Sequence, residues 1–225
     1  MLILQDIDGV SYPFKQQVIK YLRDKELLPE SVIKEFESSD YIYFHDYFLN
    51  TGLDLSELGF QEASELNNWF RQIIREFGDT EYFLEGYNKE LKDLNHELKK
   101  EGYEIHGLTA RCCDKYPNKT YNNARHATRL WSEKHDIGFE EIHFKSARFK
   151  HEILDYVGDV VCMIDDTPTA LEGFLDKGVN CILLNNGHPH KTSYVEKLKG
   201  KYGDKLVIVH SLEDIKPALK KFRKK

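Results

Sequence analysis

Four aspartates stand directly after two apolar segments that the sequence predicts as strands. Asp6 and Asp8 follow the apolar start of the chain, and Asp165 and Asp166 follow the wholly apolar residues 160–164. Ligands of open parallel sheets bind in the crevice at the carboxyl ends of the strands, so neighbouring strands would bring these carboxylates together. Converging carboxylates raise each other's pKa and require a cation, and oxygen ligands without His or Cys favour Mg²⁺.

Further residues at predicted strand ends suit the binding of a phosphoryl group. Thr109, Ala110 and Arg111 follow the predicted strand 103–108 and offer a hydroxyl, backbone N–H groups and a guanidinium to phosphate oxygens. Lys150 precedes the second aspartate pair and could offset negative charge on a phosphate or a carboxylate. Each residue alone fits a turn, a helix cap or a solvated surface equally well. Their joint placement favours a phosphate site.

The elements that must position these side chains alternate along the second part of the chain. Helical periodicity predicts helices, and short apolar runs predict strands, so that strands and helices follow one another. This alternation predicts right-handed crossovers and an α/β fold with a doubly wound, Rossmann-like parallel sheet. Predicted helices cover 87–100, 120–135, 150–156, 169–177, 193–198 and 212–222, and further predicted strands cover 141–144, 181–184 and 206–210.

Residues 12–85 interrupt this rhythm with a long helical pattern that is rich in aromatic residues. Aromatic residues at helical spacing, such as Trp69 and Phe70, are typical of a helix core. We therefore predict a helical insertion over 12–85, placed after the first strand, and a catalytic core formed by 1–11 together with 86–225.

Composition limits the kind of protein that this chain can be. The 225 residues carry 32 Lys plus Arg against 38 Asp plus Glu, which gives a formal net charge of −6. A strong basic excess is the usual mark of nucleic-acid binders, so extended binding of DNA is not expected. Capture of a single phosphorylated end remains compatible with this charge. With 40% hydrophobic residues the chain can bury a core.

The cysteines and the hydropathy indicate the cellular setting. Cys112, Cys113, Cys162 and Cys181 show neither the density of a disulfide scaffold nor the spacing of a zinc site. No apolar run approaches the roughly 18 residues of a membrane span. We therefore predict a cytoplasmic protein with free thiols and no membrane contact.

A His-x-His pair formed by His188 and His190 follows the predicted strand 181–184. Such a pair could bind a transition metal, but the Mg²⁺ interpretation leaves no task for one. We interpret the segment as a loop at the rim of the site.

At the level of motifs the sequence resembles the haloacid dehalogenase superfamily of phosphohydrolases. The segment Asp-Ile-Asp-Gly-Val at 6–10 resembles the first motif of that family, and Thr109 after its strand resembles the second. Lys150 resembles the third motif, and Ile-Asp-Asp at 164–166 resembles the fourth. The order of the motifs and their context both match, and they span most of the chain.

The resemblance implies a role for each motif residue in phosphoester hydrolysis. Asp6 would be the nucleophile that forms an aspartyl-phosphate, and Asp8 would be the general acid and base. Thr109 and Lys150 would hold the transferring phosphoryl group. Lys145 is an alternative to Lys150, because the spacing before the fourth motif varies in this superfamily.

The resemblance also implies the cofactor Mg²⁺ and its ligands. The ion would be bound by Asp6, by Asp166 and by the backbone carbonyl of Asp8. Asp165 would support these ligands from the second coordination shell. The substrate would be a small phosphate ester.

The position of the insertion resembles the 5'(3')-deoxyribonucleotidase branch, in which a helical cap encloses the base and sugar. This likeness implies a 5'-nucleotidase that acts on (deoxy)nucleoside monophosphates. Cap closure would exclude water from the site. Candidate residues for stacking on a base are Tyr12, Phe14, Phe44, His45, Tyr47, Phe48 and Trp69.

A second likeness leaves an alternative substrate open. Residues 109–111, Arg125, 128–131 and 164–166 are similar to the phosphatase domain of phage polynucleotide kinases, which removes 3'-phosphates from nucleic-acid ends. Under that interpretation the arginines at 111, 125 and 129 (Arg111, Arg125, Arg129) would contact a substrate phosphate. A phosphate-binding Gly-x-x-x-x-Gly-Lys-Ser/Thr loop is absent from the sequence, so no fused kinase is expected. A third alternative is a binding protein that keeps the fold without turnover.

Overall fold

The computed structural model describes residues 1–39, 44–52, 54–78, 81–111, 119–185 and 192–222. In this part of the chain the strands form one six-stranded sheet in the order β3-β2-β1-β4-β5-β6, and every neighbouring pair is parallel. The predicted doubly wound α/β sheet is confirmed. The strands are β1 Leu2–Asp6, β2 Glu104–Thr109, β3 Glu141–Phe144, β4 Val160–Asp165, β5 Asn180–Leu184 and β6 Leu206–Val209.

The helices occupy the segments between the strands and the long stretch that follows β1. The α-helices are α1 Phe14–Asp24, α2 Glu30–Ser38, α3 Phe44–Thr51, α4 Ala63–Gly78, α5 Glu81–Glu85, α6 Lys89–Lys100, α7 Lys119–His135, α8 Pro168–Asp176, α9 Thr192–Tyr202 and α10 Ile215–Phe222. Short 3₁₀ helices cover Leu55–Leu58, Ala147–Asp155, Gly203–Lys205 and Leu212–Asp214. The segment predicted as a helix over 150–156 is thus a 3₁₀ helix that begins three residues earlier.

The two faces of the sheet carry separate apolar cores, because successive side chains of a strand point to opposite faces. Ile3 of β1 packs in one cluster with α6 and α10, whereas Leu2 and Leu4 pack in another with α8 and α9. The same alternation places Cys162 on one face and Met163 on the other. Helices therefore cover both faces, which explains why residues 160–164 are apolar throughout.

The helices between β1 and α6 share an aromatic core with α7. Trp131 of α7 is fully buried in this core, and its indole Nε1 donates a hydrogen bond to the carbonyl of Gly86 at 2.6 Å. His135, one turn further along α7, makes a hydrogen bond of 2.7 Å to the carbonyl of Leu84. Helix α7 is therefore the element of the core against which the helical segment packs. The domain boundaries at 12 and 85 stay a prediction.

Some of the other sequence-based predictions concern described residues, and some concern residues outside the described ranges. Cys162 and Cys181 are buried free thiols, whereas the pair at 112 and 113 lies outside the described residues. The His-x-His pair at 188 and 190 also lies outside them. Among the described helices, none has both the length and the apolar character that crossing a membrane requires.

We expect Trp131→Ala to lower the free energy of unfolding by about 3–5 kcal/mol, because it empties a fully buried site and removes the donor to Gly86. Urea denaturation of the purified variant measures this loss. The adjacent Leu130, which is 40% exposed, provides the control Leu130→Ala, with an expected change within about 0.5 kcal/mol. Equal losses in the two variants would contradict the proposed role of α7 as the packing element.

Candidate active site

The candidate site lies where the strand order reverses, between β1 and β4. Strand β1 pairs with β2 on one side and with β4 on the other, so the ends of the three strands lie side by side. Asp6, Thr109 and Asp165 are the last residues of these strands. Open parallel sheets bind ligands at this switch point. The expected convergence of the two aspartate pairs is therefore observed for Asp6 and Asp165.

Lys150 lies between two carboxylates at this edge of the sheet. Its Nζ is 2.8 Å from Oδ1 of Asp6 and 2.7 Å from Oδ2 of Asp165. All three residues are buried, with 3% of Lys150, 5% of Asp6 and none of Asp165 exposed. The 3₁₀ helix Ala147–Asp155 places Lys150 and Ile153 on its buried side. A buried charge is tolerated when it is paired and hydrogen-bonded, which this arrangement provides.

The charges in this cluster shift the pKa values of their neighbours. Burial, followed by repulsion from Asp165, raises the pKa of Asp6 well above its ordinary value, although Lys150 acts in the opposite direction. Burial acts to lower the pKa of Lys150, but attraction to Asp165 and Asp6 outweighs it, so the pKa is raised. Lys150 therefore stays charged, whereas burial disfavours the charged form of Asp6.

A third carboxylate completes a group that fits a divalent cation. Oxygens of Asp6, Asp165 and Asp166 lie within 4.8 Å of one another, and all three residues are buried. Hard carboxylate oxygens grouped in this way are the ligands that Mg²⁺ prefers.

The loop after β1 brings the first motif close to Asp166. Gly9 has a φ of 78°, and a Cβ there would stand 2.3 Å from Oδ2 of Asp166, so a larger residue does not fit. The hydroxyl of Ser11 donates to the carbonyl of Asp6 at 2.9 Å, and the N–H of Ile7 donates to Oδ1 of Asp6 at 2.9 Å. These bonds fix the loop and the orientation of the Asp6 carboxylate.

Arg111 holds Asp8 in a second, adjacent group. Nε of Arg111 donates to both carboxylate oxygens of Asp8 at 2.8 and 2.9 Å, and Nη2 also donates to Oδ1. The hydroxyl of Thr109 lies 3.3 Å from Oδ2 of Asp8 and accepts a hydrogen bond of 3.1 Å from the Arg111 N–H. The Cζ atom of Arg111 lies 4.4 Å from the ring centres of both Tyr12 and Phe83, which stack on each other. Two aromatic faces therefore fix the cation that holds Asp8.

Two polar groups beside Asp8 have hydrogen-bond donors that are not used within the described part of the chain. Nη1 of Arg111 and the hydroxyl of Tyr12 are buried and have no hydrogen-bond partner among the described residues. Burial raises the pKa of Tyr12, so its hydroxyl keeps its proton. Buried donors that lack a partner carry a free-energy cost, and a ligand oxygen would remove it. This pair of donors marks where an anionic ligand would bind.

The structure distinguishes the two lysines that the sequence left as alternatives for the third motif, because they have different contacts. Lys150 contacts the carboxylates, whereas Nζ of Lys145 lies 4.9 Å from the centre of the Tyr156 ring. The motif prediction therefore has geometric support at Lys150.

The two remaining arginine candidates lie near the end of β3. The Cζ atoms of Arg125 and Arg129 are 5.4 and 5.2 Å from the centre of the Phe144 ring. Phe144 pairs in register with Thr109, which places both cations beside the second motif. Ala110, which follows Thr109 in the chain, is exposed.

Most of the candidate stacking residues lie in the aromatic core, the position that their helical spacing also predicts. The rings of Phe14, Phe44, Tyr47 and Phe48 are buried in the aromatic core, and Trp69 packs against it partly buried. Their faces are thus covered by protein, and Tyr12 stacks on Phe83 and Arg111. The side chain of His45 lies outside the described part of the chain. Phe83 was not among the sequence candidates, because nothing in its local pattern separates it from other core aromatics.

Comparison with known proteins identifies the fold. No family model and no curated protein matches the sequence. A haloacid dehalogenase-like family hydrolase from Streptococcus pneumoniae superposes with a TM-score of 0.57 at 16% identity over 96% of both chains. A Clostridium difficile protein named as a candidate phosphatase gives 0.56 at 17% identity over 97% of both chains. A phosphonoacetaldehyde hydrolase-like protein from Oleispira antarctica gives 0.52 at 13% identity, covering 99% of this chain and 92% of that one.

These solved structures and the sheet order define the class of fold. The chain has the Rossmann-like α/β fold of haloacid dehalogenase-like hydrolases, with its acidic cluster at the switch point of the sheet. At these identities the likeness is one of fold, so the activity of this chain rests on its own residues.

We expect Lys150→Ala to lower the free energy of unfolding by about 3–5 kcal/mol in EDTA, because two buried carboxylates lose their shared partner. Addition of Mg²⁺ should restore part of this loss. The matched control is Lys145→Ala, which removes a cation that only covers the Tyr156 ring. Urea denaturation with and without Mg²⁺ gives both values, and an unchanged Lys150→Ala protein would contradict the charge balance described above.

The raised pKa of Asp6 predicts a stability difference that depends on pH. The stability that its protonated form contributes is fully present below the unfolded pKa of about 3.9, and it is lost as the pH rises toward the higher folded pKa. The Asp6→Asn variant has no carboxyl group at this position, so it does not lose this stability as the pH rises. In EDTA, the variant should therefore gain stability relative to the parent protein as the pH rises above about 4.

Urea unfolding across this pH range measures the difference, and Mg²⁺ should reduce it by compensating the Asp6 charge. Asp155→Asn removes a carboxylate whose side chain is 62% exposed, so it serves as a control with a nearly constant difference. A stability difference between Asp6→Asn and the parent protein that does not change with pH would show that burial does not raise the pKa of Asp6.

Proposed function

We propose that this protein is a Mg²⁺-dependent phosphomonoester hydrolase that forms an aspartyl-phosphate on Asp6. The observation that carries the proposal is the buried contact of Lys150 with Asp6 and Asp165, at the same strand edge as the Arg111–Asp8 pair. Structural neighbours that are named as a phosphatase and as hydrolases support it at the level of fold.

The Asp6 carboxylate is oriented for attack by contacts to one of its oxygens. Lys150 Nζ and the N–H of Ile7 both approach Oδ1, at 2.8 and 2.9 Å. The other oxygen would attack phosphorus, which forms an Asp6–phosphorus bond and breaks the bond between phosphorus and the ester oxygen. Water would then attack phosphorus, release inorganic phosphate and regenerate the carboxylate.

Asp8 would carry the proton in both steps. It would protonate the departing ester oxygen and then accept a proton from the attacking water. In the present structure Asp8 is held by Arg111, whose Nη1 has no partner among the described residues. A substrate phosphate that binds this guanidinium would weaken its contact with Asp8 and let Asp8 hold a proton.

Mg²⁺ fits the oxygen cluster, and Asp6, the Asp8 carbonyl and Asp166 would hold it with support from Asp165. When bound, it would supply positive charge that neutralises the phosphoryl oxygens. Lys150, Thr109 and Arg111 would supply the remaining donors to the transferred group from this chain.

For the substrate we propose (deoxy)nucleoside monophosphates, on the motif resemblance and on the position of the helices that follow β1. Polynucleotide 3'-phosphates are the second candidate. The observation in their favour is the pair of guanidinium groups on α7, Arg125 and Arg129, beside Phe144 and hence beside the second motif. These cations could contact the phosphate of a neighbouring nucleotide.

Release of phosphate from a substrate panel tests the activity and separates the two substrates. The panel contains nucleoside 5'- and 3'-monophosphates, a generic aryl phosphate and an oligonucleotide with a 3'-phosphate, each measured with Mg²⁺ and with EDTA. We expect Mg²⁺-dependent release that is fastest on a 5'-mononucleotide. Faster release from the oligonucleotide would reverse the order of the two substrates, and no release from any ester would support the non-catalytic binding alternative.

Asp6→Asn should lower turnover by at least about 10³-fold, because an amide cannot replace the attacking carboxylate. The exposed Asp155 provides the matched control, since Asp155→Asn should keep parental activity. Circular dichroism of both variants confirms folding. Turnover retained by a folded Asp6→Asn protein would assign the nucleophile to another residue.

A further inference from the structure

A second cluster of titratable side chains lies near the opposite end of β2 from Thr109. His106 and Glu104 belong to β2, and His143 and Glu141 belong to the neighbouring strand β3. Side chains two residues apart on a strand point to the same face, and His106 pairs in register with Glu141. All four side chains therefore project from one face of the sheet.

One ligand atom from each of His106, His143 and Glu141 lies within 4.8 Å of the others, close enough for the three to share one metal ion. Nδ1 of His106 lies 2.9 Å from Nε2 of His143, and Oε2 of Glu141 lies 3.7 Å from the latter and 4.0 Å from the former. Ligands of a tetrahedral Zn²⁺ ion with bonds of about 2.0–2.1 Å stand about 3.3 Å apart. The three atoms need to move by only about half an ångström to reach this geometry.

Glu104 prepares His106 for this role. Its Oε1 lies 2.7 Å from Nε2 of His106, so that nitrogen carries a proton and donates it to the carboxylate. Nδ1 then presents a lone pair toward His143 and Glu141. A carboxylate behind a ligating imidazole is the usual second contact of zinc-binding histidines, where it fixes the tautomer and raises ligand basicity.

The burial of the cluster suits an ion that keeps one position open to solvent. The side chains of His106 and His143 are 8% and 13% exposed, whereas that of Glu141 is 62% exposed and free to adjust its position. A surface cavity of about 470 Å³, lined by Glu104, His106 and Glu141, gives access from solvent.

The geometry points to a Zn²⁺ site formed by Nδ1 of His106, Nε2 of His143 and Oε2 of Glu141, with Glu104 positioning His106. Two imidazoles and one carboxylate select Zn²⁺ over Mg²⁺, whereas the oxygen cluster at the other end of the strands does the reverse. His106 is three residue steps, or about 10 Å, along β2 from Thr109. A bound ion would join the edge strand β3 to β2.

Metal binding to the intact protein tests this site without reference to any phosphatase activity. The purified chain is freed of metal and then titrated with Co²⁺ in excess Mg²⁺, so that Mg²⁺ occupies the oxygen cluster. The visible absorption of tetrahedral Co²⁺ reports the ligand set, and competition with Zn²⁺ gives the affinity for zinc. We expect one equivalent of Co²⁺ with a tetrahedral spectrum, displaced by one equivalent of Zn²⁺.

Variants locate the ion. His143→Ala should abolish the spectrum, Glu141→Gln should weaken binding at least about tenfold, and Glu104→Gln should weaken it about 10–100-fold through His106. Because the side chain of Glu141 is exposed, Glu141→Gln should fold as the parent protein does, and it keeps the test valid if His143→Ala does not fold. The matched control is the exposed His210, since His210→Ala should bind as the parent protein does.

Two results would overturn the proposal. One is a parent protein that binds no Co²⁺ or Zn²⁺ in excess Mg²⁺. The other is a tetrahedral spectrum that survives in both His143→Ala and Glu141→Gln, because the ion would then be bound by other residues, such as the His-x-His pair at 188 and 190.

Discussion

The arrangement of the candidate site depends on one buried ammonium group between two carboxylates. Adjacent parallel strands β1 and β4 end in Asp6 and Asp165, and the fold thereby places like charges where water is scarce. Lys150 reduces this repulsion through contacts of 2.8 and 2.7 Å, and Asp166 adds a third carboxylate to the group. The proposed divalent cation would reduce the repulsion among these carboxylates further.

A second constraint connects the helices after β1 to the chemistry of Asp8. Tyr12 and Phe83 belong to the aromatic core that α1–α5 share with α7, and the Arg111 guanidinium packs against both of their rings. Arg111 in turn holds Asp8. The packing of the helical segment therefore determines where the proposed general acid stands. The buried aromatic residues act on the site through this contact, rather than by presenting open faces to a base.

The sheet separates two kinds of ligand along β2. Its carboxyl end, at Thr109, lies beside oxygen ligands that suit a hard divalent cation, and its amino end carries His106 in a group with two imidazoles. The two groups share no residue, so ions bound to them would not compete for ligands. Different donor chemistry then allows both to be loaded selectively.

Local sequence patterns determined the parallel α/β fold and the placement of Asp6, Thr109 and Asp165 at strand ends, because periodicity and turn residues act over a few positions. The tertiary structure alone decided which partners these residues have. It paired Arg111 with Asp8 from 103 residues away and put Lys150, rather than Lys145, against the carboxylates. It also buried the aromatic residues that the sequence offered for stacking. Helical spacing is the same for a core aromatic and for a ligand platform, so only the packing of distant elements can distinguish them.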